Sequence, residues 1–353
     1  MAEFESSSCP ECREAFDYPA PPPIGRRAFL AGAAALAASP LLAAPAAAKK
    51  PKPAEELARE LFSTLKDDQK KKVALPYDAA NTKGDPTPKG GIPLRLHMVN
   101  EALGKVTLDS VYTKAQMELV ERIVKALSSG EDGYRQISRG GTWDASKTFG
   151  KTGAHFFGDP MGKEKWAFTF TGHHLTIRCD GDFSDGVAFG GPIYYGHTPY
   201  GYAPANIFSY QTKAVLSVFD ALDGKQQAKA VVIGSPGEGA GSVKLRKKAE
   251  ERPGILYADL SKDQQGLVAK VMREVLSPFR QEDGDETMEA IKRSGGMEKI
   301  HLAFYADKEA KPDAKKKRER WSFWRLEGPG FVWNYRVLDH VHTYVNIDAS
   351  LRG

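Results

Sequence analysis

Hydrophobic residues along the chain recur at two different spacings, which predict a mixture of helices and strands. Apolar residues three and four positions apart, as at Leu57, Leu61 and Leu65, predict amphipathic helices. These helices cover roughly 54–72, 113–127, 210–230 and 261–279. Alternating apolar and polar residues, as in Trp166-Ala-Phe-Thr-Phe-Thr171, predict half-buried strands. The strands cover roughly 166–177, 187–196, 299–306, 320–327, 331–337 and 341–347.

The order of predicted elements repeats once along the chain, with helices first and strands after them. A Phe-x-x-Leu-x-x-x-Gln-x-x-Lys motif occurs at 62–72 and again at 219–229. Each copy is followed by a helix that begins at a hydroxyl residue, Thr113 in one case and Ser261 in the other. This repetition predicts an α+β fold of two similar helix-helix-sheet halves from an internal duplication, packed into one compact unit. The predicted halves are 54–205 and 206–353, with a ligand site between them.

Residues 1–48 are predicted to be an export signal that is cleaved from the mature protein. The pair Arg26-Arg27 precedes an alanine-rich apolar stretch with small residues at its end, which is typical of a twin-arginine signal. Pro40 and Pro45 interrupt that stretch, so we expect cleavage and no stable membrane insertion, with an uncleaved leader as the alternative. Residues 49–53 form a linker. The predicted location is the periplasm or cell envelope of a bacterium, and the predicted partner is the twin-arginine export machinery.

The composition is that of a globular and mildly basic protein. The 353 residues are 41% hydrophobic and 27% charged with a formal net charge of +5, which excludes a wholly disordered chain. The lysine-rich run at 308–320 lacks the interleaved aromatic residues that stack on bases, so we predict a solvated loop and no nucleic-acid partner. The three cysteines are too few for a disulfide framework, and Cys9 and Cys12 lie in the leader.

Two pairs of histidines carry the candidate chemistry. His340 and His342 are two positions apart on a predicted strand, so their side chains point to the same face. His173 and His174 are adjacent and therefore point to opposite faces, and the alternation from Trp166 places His174 on the core side. We predict a metal site with His174, His340 and His342 as ligands and His173 as a further candidate ligand. Three imidazoles with an open position suit a divalent transition metal, Zn, Cu or Fe, which activates a bound water or binds O₂.

Three further side chains complete the predicted site. His197 is a candidate fourth ligand or proton shuttle, and either His173 or His197 is the candidate catalytic base. Asp180 and Asp339 follow or precede the histidine-bearing strands and are candidates to accept hydrogen bonds from the ligating imidazoles. The function predicted from this site is an exported metal-binding protein, and a metalloenzyme if a reaction occurs there, either hydrolytic or O₂-dependent. Its ligand is a small molecule or a peptide.

Three other interpretations stay open from the sequence. The histidines can act only as hydrogen-bonding groups in the core. The protein can be a structural repeat protein, in which neither the histidines nor the aromatic loop matter beyond stability. The protein can also be a non-catalytic envelope module that binds a carbohydrate or peptide on an aromatic loop at 194–202, through stacking on Tyr195 and Tyr200. In that case His340→Ala leaves ligand binding largely intact, whereas replacing either tyrosine with alanine abolishes it.

Several of these motifs together resemble a known family. The motifs are Trp166–Leu175 with its Gly-His-His-Leu end, Phe157–Pro160, Gly191-Pro192 and His340–Thr343. Through them, residues 54–348 resemble the bacterial family named domain of unknown function 3500. The resemblance implies an exported protein and marks both histidine pairs, His173-His174 and His340/His342, as signature positions. It implies no reaction.

Overall fold

A mixed β-sheet runs through the centre of the protein in this computed structural model, which describes residues 53–79, 93–181, 187–238, 245, 251–306 and 321–348. Within those residues the strands are β1 (Ala74–Leu75), β2 (Gly153–Phe157), β3 (Ala167–Gly172), β4 (Leu175–Cys179), β5 (Ile193–Tyr200), β6 (Val231–Ile233), β7 (Ile255–Leu256), β8 (His301–Ala306), β9 (Phe323–Gly328), β10 (Phe331–Arg336) and β11 (His340–Ile347). Ten of these strands lie side by side in the order β1-β2-β3-β4-β5-β11-β10-β9-β8-β6, and β7 pairs with β8.

Helices pack against one face of this sheet. In the described residues they are α1 (Pro53–Ser63), α2 (Asp67–Val73), α3 (Leu108–Val111), α4 (Lys114–Leu127), α5 (Gly130–Ile137), α6 (Ser209–Ala221), α7 (Gly224–Ala230), α8 (Lys262–Leu276) and α9 (Gln281–Arg293). Aromatic contacts join the layers: the ring of Phe62 lies 5.0 Å from that of Phe156, and the ring of Phe219 lies 4.8 Å from that of Phe304. None of these helices is long and apolar enough to span a membrane.

The two halves of the chain contribute the same series of elements to the sheet. In the first half α1, α2 and β1 precede α4, α5 and the strands β2 to β5; in the second half α6, α7 and β6 precede α8, α9 and the strands β8 to β11. The short strands β1 and β6 pair in parallel with β2 and β8. The halves meet where β5 and β11 pair antiparallel in the middle of the sheet. The α+β fold class is confirmed, while the origin of the halves by duplication stays a prediction.

A pair of glutamines occupies the equivalent place in each half. Gln69 Nε2 donates to Gln116 Oε1 at 2.8 Å, and Gln226 Nε2 donates to Gln264 Oε1 at 3.0 Å. Each glutamine is the third residue of its helix, and its side-chain oxygen accepts the N–H of the residue that precedes the helix. The glutamine of the motif that repeats in the sequence therefore joins the N-termini of two helices.

Two segments of chain cover the other face of the sheet. Along β4, Ile177 faces the helices while Thr176 faces the opposite way. The Oγ1 of Thr176 accepts the N–H of Val99 at 2.9 Å, which ties the segment before α3 to the first half. On the second half, the hydroxyl of Tyr344 donates to the main-chain oxygen of Gly237 at 3.3 Å. Polar side chains that point away from the helices are thus enclosed between the sheet and these segments.

The predicted elements agree with the structure in part. The helix predicted at 113–127 is α4, and Thr113 caps it by accepting the N–H of Gln116 at 3.3 Å. The helix predicted at 54–72 is two helices, α1 and α2, and the helix predicted at 210–230 is likewise α6 and α7. Helix α9 was not predicted because its apolar residues are few and its first turn is strongly acidic. The strand predicted at 166–177 is a hairpin of β3 and β4.

Some predictions fall on parts of the chain that lie outside the described residues. These are the leader at 1–48, the linker at 49–53 up to residue 52, and the lysine-rich run at 308–320. Pro53, the last residue of the predicted linker, is the first residue of α1.

Candidate metal centre

Three histidine side chains meet beside the start of β11. His340 and His342 lie on β11, and His174 lies in the turn between β3 and β4. The Nε2 atom of His340 is 3.2 Å from Nε2 of His174 and 2.8 Å from Nε2 of His342. All three residues are buried, and His174 is 0% exposed. Each offers a ligand atom within 4.8 Å of the others, so this group can hold one metal ion.

Strand β5 brings the two histidine-bearing elements together because it pairs with both β4 and β11. The N–H of Gly196 on β5 donates to the main-chain oxygen of His174 at 3.0 Å, and Gly196 is the register partner of His342. A β-carbon at position 196 would lie 2.3 Å from the oxygen of Val341 and 3.1 Å from the His342 ring. Glycine is therefore required there for His342 to reach His174.

Each of the three imidazoles has a carboxylate at its other ring nitrogen. The three pairs are His174 Nδ1 with Asp144 Oδ2 at 2.9 Å, His340 Nδ1 with Asp339 Oδ1 at 3.0 Å, and His342 Nδ1 with both oxygens of Glu238 at 3.1 Å. Because an ionised carboxylate only accepts hydrogen bonds, each Nδ1 carries a proton, and in the neutral ring this leaves the lone pair on Nε2. Histidines that ligate metal ions are held by carboxylates in this way.

Asp144 is the most buried of these three carboxylates and serves two histidines. Its side chain is 2% exposed, its Oδ1 accepts from His197 Nδ1 at 2.7 Å, and Nε of Arg139 lies 3.5 Å from its Oδ2. Burial acts to raise the pKa of Asp144, but the hydrogen bonds from His174 and His197 and the charge of Arg139 lower that pKa below its usual range. Asp144 is therefore an ionised carboxylate inside the protein, held in the left-handed backbone conformation at φ 45°.

Burial also favours the neutral form of two of the converging imidazoles, those of His174 and His342. It lowers the pKa of His174 well below its ordinary value, and it lowers the pKa of His342 in the same direction, where the nearby charge of Arg336 adds to the effect. Burial raises the pKa of Glu238, and the guanidinium of Arg336 opposes that rise. A neutral imidazole is the form that binds a metal ion, so no proton has to leave the rings of His174 and His342 before an ion is bound.

His173 lies against the same group, with its ring centroid 3.8 Å from that of His174. Its Nδ1 accepts the backbone N–H of Ala145 at 3.1 Å, and burial lowers its pKa to about 4. The neutral ring therefore carries its proton on Nε2 and has no lone pair left for an ion. This favours His173 as a hydrogen-bond donor over its predicted roles as ligand and base. A second possible metal group, with Asp144, His173 and His174, is disfavoured for the same reason.

The prediction that His173 and His174 point to opposite faces of one strand is wrong. The chain reverses at these two residues, between β3 and β4, so both side chains are buried at the same turn. His174 has a positive φ of 52°, which is uncommon for a residue other than glycine. The side-chain oxygen of Asn100 accepts its N–H at 2.6 Å and helps to hold this conformation.

His197 is connected to the three histidines through a carboxylate instead of lying among them. It is on β5, its side chain is 14% exposed, and it shares Asp144 with His174. This position is compatible with the predicted proton shuttle and does not place His197 where a fourth ligand would lie.

The aromatic loop predicted at 194–202 is mostly strand β5. Tyr195 is fully buried, and its hydroxyl donates to the main-chain oxygen of Val275 at 2.6 Å. The stacking role predicted for Tyr195 is therefore wrong, because the ring is part of the core. Tyr200 is half-buried, with its ring centroid 5.8 Å from that of Tyr202.

Sequence reasoning identified one of the three carboxylates. Asp339 was predicted from its position beside His340, and the structure places it there. Asp180 was predicted in error, because it lies at the far end of β4 beside Gly190. Asp144 and Glu238 were missed, because both come from irregular segments and neither is near a histidine in the sequence. The one available signal was that a glycine pair closely precedes Asp144, which is typical of a tight, irregular turn.

Comparison with known proteins identifies a family. Residues 47–347, most of the chain, match the family described as "Protein of unknown function (DUF3500)". No curated protein and no solved structure matches the chain. The family that the motifs resemble is confirmed, and all four signature histidines lie within the matched residues.

Proposed function

Since the chain belongs to the DUF3500 family, whose description assigns no activity, we propose its function from the geometry of the candidate metal centre. The protein binds one divalent transition metal ion through the Nε2 atoms of His174, His340 and His342. The ion then serves a reaction on a small-molecule or peptide ligand.

The observation that carries this proposal is the direction of the three imidazoles. With each Nδ1 held by a carboxylate, the Nε2 lone pairs face one another at 2.8 and 3.2 Å. Lone pairs cannot donate hydrogen bonds to each other, and their close approach inside the protein is unfavourable without a positive charge beside them. Nη2 of Arg336 faces the lone pairs of His340 and His342, whereas a bound cation accepts the lone pair of His174 as well. The carboxylate at each Nδ1 further favours a metal ion over core histidines that serve only as hydrogen-bonding groups.

The donor set limits the identity of the ion. Three neutral imidazole nitrogens suit Zn, Cu or Fe, and they disfavour Mg and Ca, which prefer oxygen ligands. Three protein ligands leave a fourth position open, as in catalytic sites and unlike structural zinc sites. A water in that position is activated by a zinc ion, and O₂ can bind there to copper or iron. Hydrolytic and O₂-dependent reactions are the two classes that the site supports.

The direct test is metal analysis of protein folded in medium that contains all three metals. We expect one Zn, Cu or Fe per chain in the wild type and less than a tenth of that in His340→Ala. His301→Ala is the matched control, because His301 lies on β8 away from the three histidines and should leave the metal content unchanged. A folded wild-type protein without stoichiometric metal would contradict the proposal.

Export is proposed as well, on the basis of the Arg26-Arg27 motif and the apolar stretch after it. Protein recovered from the periplasm should begin near residue 49, which intact-mass measurement of the N-terminus detects. Replacing both arginines with lysine should retain the uncleaved protein in the cytoplasm. Equal export of that variant and the wild type would contradict the signal.

A further inference from the structure

Arg336 reaches the centre of the histidine group from β10. It is the register partner of His342 on β11. Its Nη2 lies 3.1 Å from Nε2 of His340 and 3.0 Å from Nε2 of His342. One guanidinium nitrogen therefore faces the same lone pairs that would bind a metal ion.

The rest of the guanidinium is fixed by protein groups. Its Nη1 donates to Glu238, and its Nε donates to the main-chain oxygen of His340 at 3.3 Å. Its Nη2 also lies 3.6 Å from Oδ1 of Asp339. The side chain of Arg336 is 15% exposed, and those of Glu238 and Asp339 are more exposed, so this side of the histidine group is closer to solvent than the side of Asp144. Because Nη1 and Nε are engaged, Nη2 is held toward the histidines when an ion displaces its contacts.

An ion at this site changes what Arg336 contacts. A lone pair of His340 or His342 can be shared with an N–H of Arg336 or with a metal ion, but not with both. Once an ion is bound, the N–H groups of Nη2 lose their imidazole acceptors, and a guanidinium charge lies next to a dication. Both changes are unfavourable unless a negatively charged acceptor lies between the ion and the guanidinium.

The sum of the charges around the site favours such an acceptor. Three carboxylates, Asp144, Asp339 and Glu238, surround the histidines, together with two guanidinium groups, those of Arg139 and Arg336. With the ion in place, this group has one positive charge in excess. A single negative charge on the ligand neutralises it.

We propose, on the premise that the site holds a metal ion, that its ligand is an oxyanion, a carboxylate or a phosphate, with one oxygen on the ion and a hydrogen bond from Nη2 of Arg336. Arg336 thereby selects anionic ligands over neutral ones. This inference rests on the proposed function and adds the class of ligand to it.

The test uses the full-length protein loaded with Co²⁺, whose visible absorption reports changes in the ion's ligands. Acetate, inorganic phosphate and neutral acetamide are titrated separately, and the first two distinguish carboxylates from phosphates. We expect Arg336→Gln to bind one Co²⁺ and to weaken binding of the anion that the wild type prefers by at least tenfold. Arg336→Lys keeps the positive charge but lacks the planar guanidinium group, so it should weaken anion binding less than Arg336→Gln does. Arg135→Gln is the matched control, since Arg135 lies on α5 and pairs with Asp132 at the surface.

The outcomes are distinguishable. If wild-type protein binds no Co²⁺, the proposed function fails and the inference falls with it. If Co²⁺ binds but the anion affinity of Arg336→Gln stays within twofold of wild type, the inference fails and the metal site stands. Binding of acetamide as tight as that of acetate or phosphate would also overturn the inference. Circular dichroism checks that each variant is folded, and the lysine variant carries the same test if the glutamine variant does not fold.

Discussion

Asp144 accepts a hydrogen bond from His174 at 2.9 Å, although the two residues are 30 positions apart in the chain. This contact fixes which nitrogen of His174 carries the proton, and so directs the Nε2 lone pair toward His340. The irregular segment before β2 thereby decides whether a residue in the β3–β4 turn can act as a ligand.

Replacing Asp144 with asparagine should weaken metal binding by about 10- to 100-fold, because the amide carries no charge and no longer fixes the tautomer of His174. Competition with a chelator of known affinity measures the change. Asp132→Asn is the control, since Asp132 is exposed on α5 and pairs with Arg135. An affinity of Asp144→Asn within threefold of wild type would show that Asp144 does not orient a ligand.

Stability should depend on pH through His155, which is on β2 and 2% exposed. Burial lowers the pKa of His155 to about 4 from its ordinary 6.5. The unfolded chain therefore takes up a proton first as pH falls, and stability is lost between pH 6.5 and 4. At pH 5 this loss amounts to about 2 kcal/mol. Urea unfolding of wild type and His155→Phe at pH 7.5 and pH 5 isolates this loss. The contributions of the other histidines are the same in both proteins and cancel when their free energies of unfolding are compared. Parallel pH dependence of the two proteins would contradict the assignment.

Two glycine-to-alanine changes should have opposite effects on the stability of the fold. At Gly196 the added carbon meets the oxygen of Val341 at 2.3 Å, so Gly196→Ala should destabilise the fold by about 1–3 kcal/mol and weaken metal binding. At Gly266, inside α8, a β-carbon meets nothing within 4 Å, so Gly266→Ala should stabilise the fold by about 0.5–1 kcal/mol. Thermal unfolding and metal titration measure both. The Gly266 variant should keep its metal affinity. If it loses affinity as the Gly196 variant does, the contact of residue 196 with Val341 is not the cause.

Tyr195 provides a test of the core packing beneath β5. Tyr195→Phe removes the buried hydroxyl that donates to Val275 and contacts Gln211 at 3.0 Å. We expect a loss of about 1–2 kcal/mol in the free energy of unfolding and an unchanged metal content. A variant with wild-type stability would show that this buried hydroxyl does not stabilise the core.

Hydrophobic periodicity identified most of the elements, because it reports which face of each segment is buried. The predicted capping residue Thr113 gave the start of α4 correctly, since the signal is local to the helix end. The break between α1 and α2 was not predicted, because apolar spacing continues across it. The β3–β4 turn was missed for a related reason: two buried histidines replace the usual turn residues there.

In the candidate site too, features that depend on local sequence could be predicted, and features that depend on distant contacts could not. His340 and His342 share a face because of strand geometry, which the sequence contains. The approach of His174 depends on the β5–β11 pairing, which joins residues far apart in the chain. Arg336 and Glu238 could not be predicted, because their places depend on the register of β10 and on a segment without regular structure.

His174 belongs to the first half of the chain, whereas His340 and His342 belong to the second. An ion held by all three is therefore a cross-link between segments that separate on unfolding. Its binding adds to the stability of the native state by about 2.7 kcal/mol when the concentration of unbound ion is 100 times the dissociation constant. Depletion of the metal should then shorten the lifetime of the protein against proteases, even where no reaction takes place.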